Sequence, residues 1–223
     1  MAGKLRFIVT AGPTREYLDP VRFLTNPSSG RMGFAIALAA AALGYETVLV
    51  AGPVALRTPR GVGRIDVVSA RDMLHAVRKA LDAGGGTPSV LVMSAAVADW
   101  RPARMAMRKL KKIEMESTLR LARNPDILKT LARDRRIAVR IGFAAETGDP
   151  VPEAIRKCRE KRLDAIVAND VTLPGAGFGT STNRVEFIFP DGRAAKQPMS
   201  SKAAIGRRIV RLAECLAEGK GLS

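Results

Sequence analysis

Ala11-Gly-Pro-Thr-Arg-Glu-Tyr-Leu-Asp-Pro-Val-Arg-Phe-Leu-Thr-Asn-Pro-Ser-Ser-Gly-Arg-Met-Gly33 decides how this chain folds. The apolar run 5–9 precedes it, and the alanine-rich apolar run 34–43 follows it. The order is strand, long polar loop, helix. Gly12, Pro13, Ser28, Ser29 and Gly30 leave backbone N–H groups open where the helix begins. Such donors, with the positive end of the helix, form a site for an anion such as a phosphate. Arg15, Arg22 and Arg31 in the same stretch give the loop a charge that agrees with its geometry. The plain alternative is a surface loop with ordinary turn chemistry, but long loops in compact domains are usually functional or disordered.

Outward from this stretch, strands are expected at 5–10, 47–51, 65–68, 90–97, 137–145 and 165–168. Helices are expected at 32–43, 70–83, 150–162 and 200–217, the second from apolar Met73, Leu74, Val77 and Leu81 at helical spacing. A further helix opens at Asn124-Pro125-Asp126, with Asn124 as N-cap and Pro125 at the first helical position. The runs 184–189 and 194–198 around Asp191-Gly192 read as a β-hairpin. Segment 100–119 has no clear period, is rich in Arg, Lys and Met, and reads as a flexible flap over about residues 100–120. Alternating strands and helices imply a mostly parallel sheet covered on both faces. The expected fold is α/β: a Rossmann-like three-layer sandwich, with an antiparallel hairpin at one sheet edge near the C-terminus. All of 1–223 is expected to form a single domain. The loops after the first, fourth, fifth and sixth strands then gather at one sheet edge, where such folds bind ligands.

Composition narrows the function. The chain has 223 residues and 47% hydrophobic content, ample for a core. No apolar run reaches the ~18 residues of a membrane span. Met1-Ala-Gly-Lys-Leu-Arg leads into a strand without the features of a secretory signal. Cys158 and Cys215 lie far apart, and His75 is the single histidine, so neither a disulfide framework nor a transition-metal site is expected. A reduced, cytoplasmic protein is the expectation. The net charge is +16, from 37 Lys and Arg against 21 Asp and Glu. Residues 101–162 hold 18 Lys and Arg and 8 Asp and Glu, ten of those sixteen excess charges. Concentrated positive charge implies an anionic partner: nucleotide, phosphorylated metabolite or nucleic acid. Solvated helix faces in an arginine-rich chain also contribute, since the last helix is Arg-rich without any motif.

Gly30-Arg-Met-Gly33 is not Gly-x-Gly-x-x-Gly, and the second strand ends Val50-Ala-Gly52 with no acid for a dinucleotide ribose. A dehydrogenase is disfavoured and the Walker A pattern is absent. A nucleotide can still bind the Ser28-Ser29-Gly30 amides. Ser94-Ala-Ala-Val-Ala-Asp-Trp100 places small residues at a strand end, followed by an acid. Small side chains admit a flat base to the backbone, and Asp99 can accept from ribose hydroxyls; a packed strand end with a capping aspartate is the alternative. Lys109-Leu-Lys-Lys112 lies in the aperiodic segment and can screen a polyphosphate, or merely be solvated. Phe143, in Gly142-Phe-Ala-Ala-Glu-Thr147, fits a ligand contact and a core position equally. Lys157 and Lys161 share a helix face, toward phosphate or water.

These motifs occur in one order. Ala-Gly-Pro-Thr-Arg-Glu-x-Leu-Asp-Pro-Val-Arg at 11–22, Asn-x-Ser-Ser-Gly-x-Met-Gly at 26–33, Ala-Ala-Val-Ala-Asp at 95–99, Lys-x-Lys-Lys at 109–112, Asn-Pro-Asp-Ile at 124–127, Gly-Phe-Ala-Ala-Glu-Thr at 142–147 and Ala-Asn-Asp at 168–170 span nearly the whole chain. In them the chain resembles the phosphopantothenoylcysteine synthetases, the phosphopantothenate–cysteine ligases of coenzyme A biosynthesis, in their bacterial CTP-using form. Pro27 stands where those proteins often carry His, and Arg104-Met-Ala-Met-Arg108 is an unusual flap sequence. Members often carry an N-terminal flavin-dependent decarboxylase domain. None is expected within this sequence, which fits a stand-alone ligase and an excised domain alike.

The resemblance implies a two-step reaction in which CTP activates the carboxylate of 4′-phosphopantothenate as an acyl-cytidylate and the cysteine amine then displaces CMP. It implies Asn26 at the acyl group of the intermediate and Lys109 as the flap lysine at the reacting phosphate. It also implies Ala95 and Asp99 at base and ribose. Asn124, Pro125, Asp126, Ile127, Phe143, Lys157 and Lys161 match other nucleotide contacts, and Arg22 a contact to phosphopantothenate. Magnesium is implied as the bridge across the triphosphate, held by phosphate oxygens and water rather than by protein ligands. A homodimer is implied too, one subunit completing the other's pantothenate pocket. No nucleic-acid or membrane partner is expected. A nucleic-acid-binding module answers the charge but not the aromatic content of 4%. A Rossmann oxidoreductase or flavoprotein meets the glycine pattern as a contrary sign.

Overall fold

A computed structural model describes residues 5–111, 118–146, 148–170 and 181–219. Lys112, the rest of the flap to residue 117, and Thr147 lie outside the described residues. The first half of the chain forms β1 (Arg6–Ala11), β2 (Arg15–Tyr17), β3 (Phe23–Thr25), α1 (Arg31–Ala42), β4 (Glu46–Ala51), β5 (Val62–Asp66), α2 (Ala70–Asp82) and β6 (Ser89–Met93). Next come β7 (Trp100–Pro102), β8 (Leu121–Arg123), α3 (Ile127–Thr130), β9 (Ile137–Glu146), α4 (Val151–Lys161) and β10 (Ala165–Asp170). The chain closes with β11 (Thr182–Asn183), β12 (Val185–Ile188), β13 (Ala194–Lys196), β14 (Ser200–Ser201) and α5 (Lys202–Ala217).

The central sheet runs β13-β12-β10-β9-β6-β1-β4-β5. Every neighbour pair from β10 to β5 is parallel, and β12 and β13 add an antiparallel edge. β1 and β6 are buried at every position because helices cover both faces of the sheet. Phe7, Val9, Val90 and Val92 face α1 and α5, where Ile36, Ile205 and Ile209 meet them. Ile8, Val50 and Leu91 face α2 and α3, against Met73, Val77 and Ile127. Ala154 and Cys158 of α4 continue that layer over Ile166 and Ile188. This is the expected three-layer arrangement, hairpin included.

Two glycines set the closest approaches. A Cβ on Gly33 would lie 2.5 Å from the Ala11 Cβ and 2.8 Å from the Thr10 oxygen, so α1 rests directly on the end of β1. A Cβ on Gly206 would lie 2.8 Å from the Ala35 oxygen, which lets α5 press against α1.

Local departures have local causes. The run 90–97 stops being a strand at Met93, because the Ala95 N–H donates to Thr10 Oγ1 at 3.2 Å and the Ala96 N–H to the Gly12 oxygen at 2.9 Å. The cap of α3 is Asp126 rather than Asn124: Asp126 accepts from the Lys129 N–H, while the Asn124 amide donates to the Ala98 oxygen at 2.8 Å. Pro125 therefore precedes the helix instead of beginning it. The aperiodic stretch opens with β7, which pairs antiparallel with β8 and closes the root of the flap. β2 and β3 form a hairpin inside the long loop after β1.

Candidate active site

The chain leaves β1 for β4 on one side and returns to β6 on the other, so the switch point lies between β1 and β6. Beyond those strand ends lies a cleft of about 530 Å³. One wall is the loop 26–30 with the first turn of α1. Gly30 caps this helix with φ 73 and no side-chain cap, a left-handed turn that glycine adopts without strain. The first-turn N–H groups, the positive end of the helix dipole, thus look toward the cleft.

The opposite wall is 94–99, laced to the loop after β1. Ser94 Oγ donates to the Thr10 oxygen at 2.6 Å, and the Ala98 N–H donates to Thr14 Oγ1 at 3.0 Å. Thr10 and Thr14 are fully buried, so the wall is rigid. Asn26 bridges the walls, its Nδ2 donating to the Val97 oxygen at 3.1 Å. An amide nitrogen carries two hydrogens, so a second donor remains. The Asn124 N–H donates to the Asp99 oxygen at 2.8 Å, which fixes the backbone of the acid at the rim.

Asn26, Ser28, Ser29, Gly30, Ala95, Asp99, Phe143, Lys157 and Lys161 line this cleft. Gly12 lies beneath the lining: a Cβ on Gly30 would come 3.3 Å from the Gly12 nitrogen. Asn124 supports the wall from behind. Asp126 reaches the lining indirectly, through an ion pair of 2.8 Å with Lys161 Nζ. Burial raises its carboxyl, but hydrogen bonds from the Lys129 N–H and Lys161 outweigh this and hold it below the ordinary value. Ile127 is 3% exposed and belongs to the core. Arg22 is engaged with Asp19 outside the lining, and Lys109 is exposed on the flap.

Arg31, Asn169, Asn183 and Lys202 also line the cleft and were not among the expected site residues. Lys202 is 8% exposed and begins α5, where a helix end disfavours a cation. That conflict with the dipole is the signal that marks it in sequence. Burial first, and the Arg31 charge second, push its pKa below the ordinary value. Among the described residues the lining holds Arg31, Lys157, Lys161 and Lys202 against one carboxylate, Asp99. Such a cleft attracts a polyanion.

The fold and the cleft together define a Rossmann-like α/β protein with a cation-rich cleft at its switch point. Residues 1–216 match the DNA/pantothenate metabolism flavoprotein C-terminal domain, and the chain belongs to that family. It is 44% identical over 212 residues to the coenzyme A biosynthesis bifunctional protein CoaBC of Vibrio vulnificus, covering 94% of this chain and 52% of that protein. It is also 44% identical over 215 residues to CoaBC of Bacillus subtilis, covering 96% and 52%. The chain spans about half the length of these curated relatives. A crystal structure of the C-terminal domain of CoaBC matches with a TM-score of 0.79 and 43% identity over 99% of this chain and 100% of that one. A Cab2 structure shares the fold at a TM-score of 0.78 and 16% identity, covering 98% of this chain and 87% of that one. The family resemblance drawn from the motifs is borne out. Among the described residues no helix is long and apolar enough to cross a membrane.

Proposed function

We propose that this cleft joins 4′-phosphopantothenate to cysteine at the expense of CTP. A carboxylate is a poor acyl donor at neutral pH, so activation comes first. A carboxylate oxygen attacks the α-phosphorus, and the bond to the β-phosphate breaks to release pyrophosphate. The cysteine amine then attacks the acyl carbon, loses a proton, and displaces CMP. Magnesium would come with the triphosphate and would offset part of its charge.

Such chemistry needs neutralised phosphates and a held intermediate more than a strong base. The α1 N-terminus, Ser28, Ser29, Gly30 and the lining cations serve the phosphates. Ala95 leaves room for the base, Phe143 packs on it, and Asp99 accepts from the ribose. The remaining donor of Asn26 serves the acyl oxygen without changing its charge. Lys109 stabilises charge at the reacting phosphorus when the flap closes. Arg22 contacts phosphopantothenate at the loop. The working form is a cytoplasmic homodimer; exposed Val21, Met105 and Met107, near the hairpin of β2 and β3, support a surface that a second copy covers.

One observation carries this reading: expected site residues scattered from 26 to 161 line one cleft, in a chain 43% identical to the whole CoaBC C-terminal domain. The test is incubation with phosphopantothenate, cysteine and each of the four ribonucleoside triphosphates, with detection of released monophosphate. CMP release that requires the acid, and amide formation that requires cysteine, is expected. Release from ATP alone overturns the nucleotide assignment, and no release from any of the four overturns the reaction.

A further inference from the structure

Asp19 is a fully buried carboxylate in the turn between β2 and β3, outside the cleft lining. Its Oδ1 accepts from the Val21 and Arg22 N–H groups, both at 2.9 Å. Its Oδ2 accepts from Arg22 Nε at 3.0 Å and from Arg22 Nη2. The same Oδ2 accepts from the Leu110 N–H at 3.3 Å, and Arg22 Nη2 donates to the Leu110 oxygen at 2.9 Å. The pair therefore grips both backbone groups of Leu110, the residue after Lys109. A third tie, from the Ala106 N–H to the Leu18 oxygen at 2.8 Å, fixes the flap four residues earlier.

The Oδ1 bonds serve the turn itself, as an aspartate in this place commonly does, but the Oδ2 bond to the Leu110 N–H does not. A buried carboxylate is tolerated when paired and hydrogen-bonded, and removing one partner is costly. Here one part of the pairing is spent on a segment far away in sequence. The same hairpin ends at Thr25, so Asn26 hangs from its far side. One turn thus sets the position of both groups that the proposed reaction assigns to its two steps.

We infer that Asp19 is a positioning residue: with Arg22 it latches the flap at Leu110 and so sets where Lys109 stands relative to Asn26. This rests on the reading of Lys109 and Asn26 given under the proposed function. Arg22, side chain first, and the surrounding N–H groups hold the Asp19 carboxyl well below the usual carboxylate range.

The experiment is a double-mutant cycle on pyrophosphate release, with Asp19→Asn, Lys109→Gln and the double variant, beside timed trypsin cleavage at Arg108, Lys109 and Lys111. Asp19→Asn is expected to slow release about 10- to 100-fold, the usual cost of misplacing a reacting group. It is also expected to speed cleavage of the flap, and to add nothing once Lys109 is Gln. An Asp19→Asn loss that persists in full in the Lys109→Gln background overturns the inference, as does wild-type release by Asp19→Asn alone. If Lys109→Gln by itself leaves release unchanged, the reading of the site fails instead; trypsin then decides the latch, and unchanged cleavage overturns it. Should Asp19→Asn not fold, Asp19→Glu keeps the charge but shifts the carboxylate by one methylene from the Leu110 N–H, and the same outcomes apply to it.

Discussion

Gly33 shows how narrowly the site is built at the scale of single residues. Its missing Cβ is the gap through which α1 reaches the end of β1. Gly33→Ala is expected to cost about 1–3 kcal/mol by overpacking, because the nearest atoms are backbone and short side chains that cannot swing aside. Urea unfolding followed by circular dichroism reads this directly. Asn26→Ala is expected to keep releasing pyrophosphate from CTP and phosphopantothenate while amide formation stalls. Product at the wild-type rate removes Asn26 from the second step. Ser28 and Ser29 were legible in sequence because they lead into a helix, Ala95 and Asp99 because they follow a strand, and Asn26 through the family motif. Arg22 shows the limit: its motif marks it as important, but its pairing with the buried Asp19 depends on the hairpin fold.

At the scale of elements, the helix expected at 70–83 from its apolar spacing is α2, Ala70–Asp82. Ser69 and Asp72 form a reciprocal capping box at the start of α2. Ser69→Ala is expected to lose about 1 kcal/mol of stability, seen as a lower melting temperature. Asn124-Pro125-Asp126 reads as a cap at Asn124, yet the cap is Asp126, since the Ala98 oxygen takes the asparagine amide. No local pattern reveals a partner 26 residues away in another loop. Cys158 on α4 is fully buried, and burial first, then the Asp164 charge, push its thiol from 9.0 to about 11. The unfolded chain gives up this proton first, so its contribution to stability is present below pH 9.0 and declines as pH rises toward about 11. Thiol labelling of the native protein near neutral pH is expected to modify Cys215 alone, with Cys158 reacting only at the rate of unfolding. Rapid labelling of both would show that α4 is not seated as described.

For the whole molecule, the decisive quantity is a net charge of +16 with its local focus in the cleft. A nucleoside triphosphate is expected to raise the melting temperature, because a ligand that binds only the folded state stabilises it. That rise is expected to shrink as added salt shortens the screening length from ~30 Å to ~3 Å. A ligand shift indifferent to salt would mean that the cations do not bind the phosphates.

Sequence by itself determined the alternation of strand and helix, the continuous apolar strands that demand helices on both faces, the excess of cations, and the motif order that places the chain in its family. These are properties of neighbouring residues, set by periodicity, turn chemistry and composition. Tertiary structure alone decided that Asn183 and Lys202, from the far end of the chain, share a cleft with Arg31, and that Ile127 belongs to the core. It alone decided that Asp19 holds the flap. Such encounters follow from strand order and helix packing, which join residues far apart along the chain through contacts that no short stretch specifies.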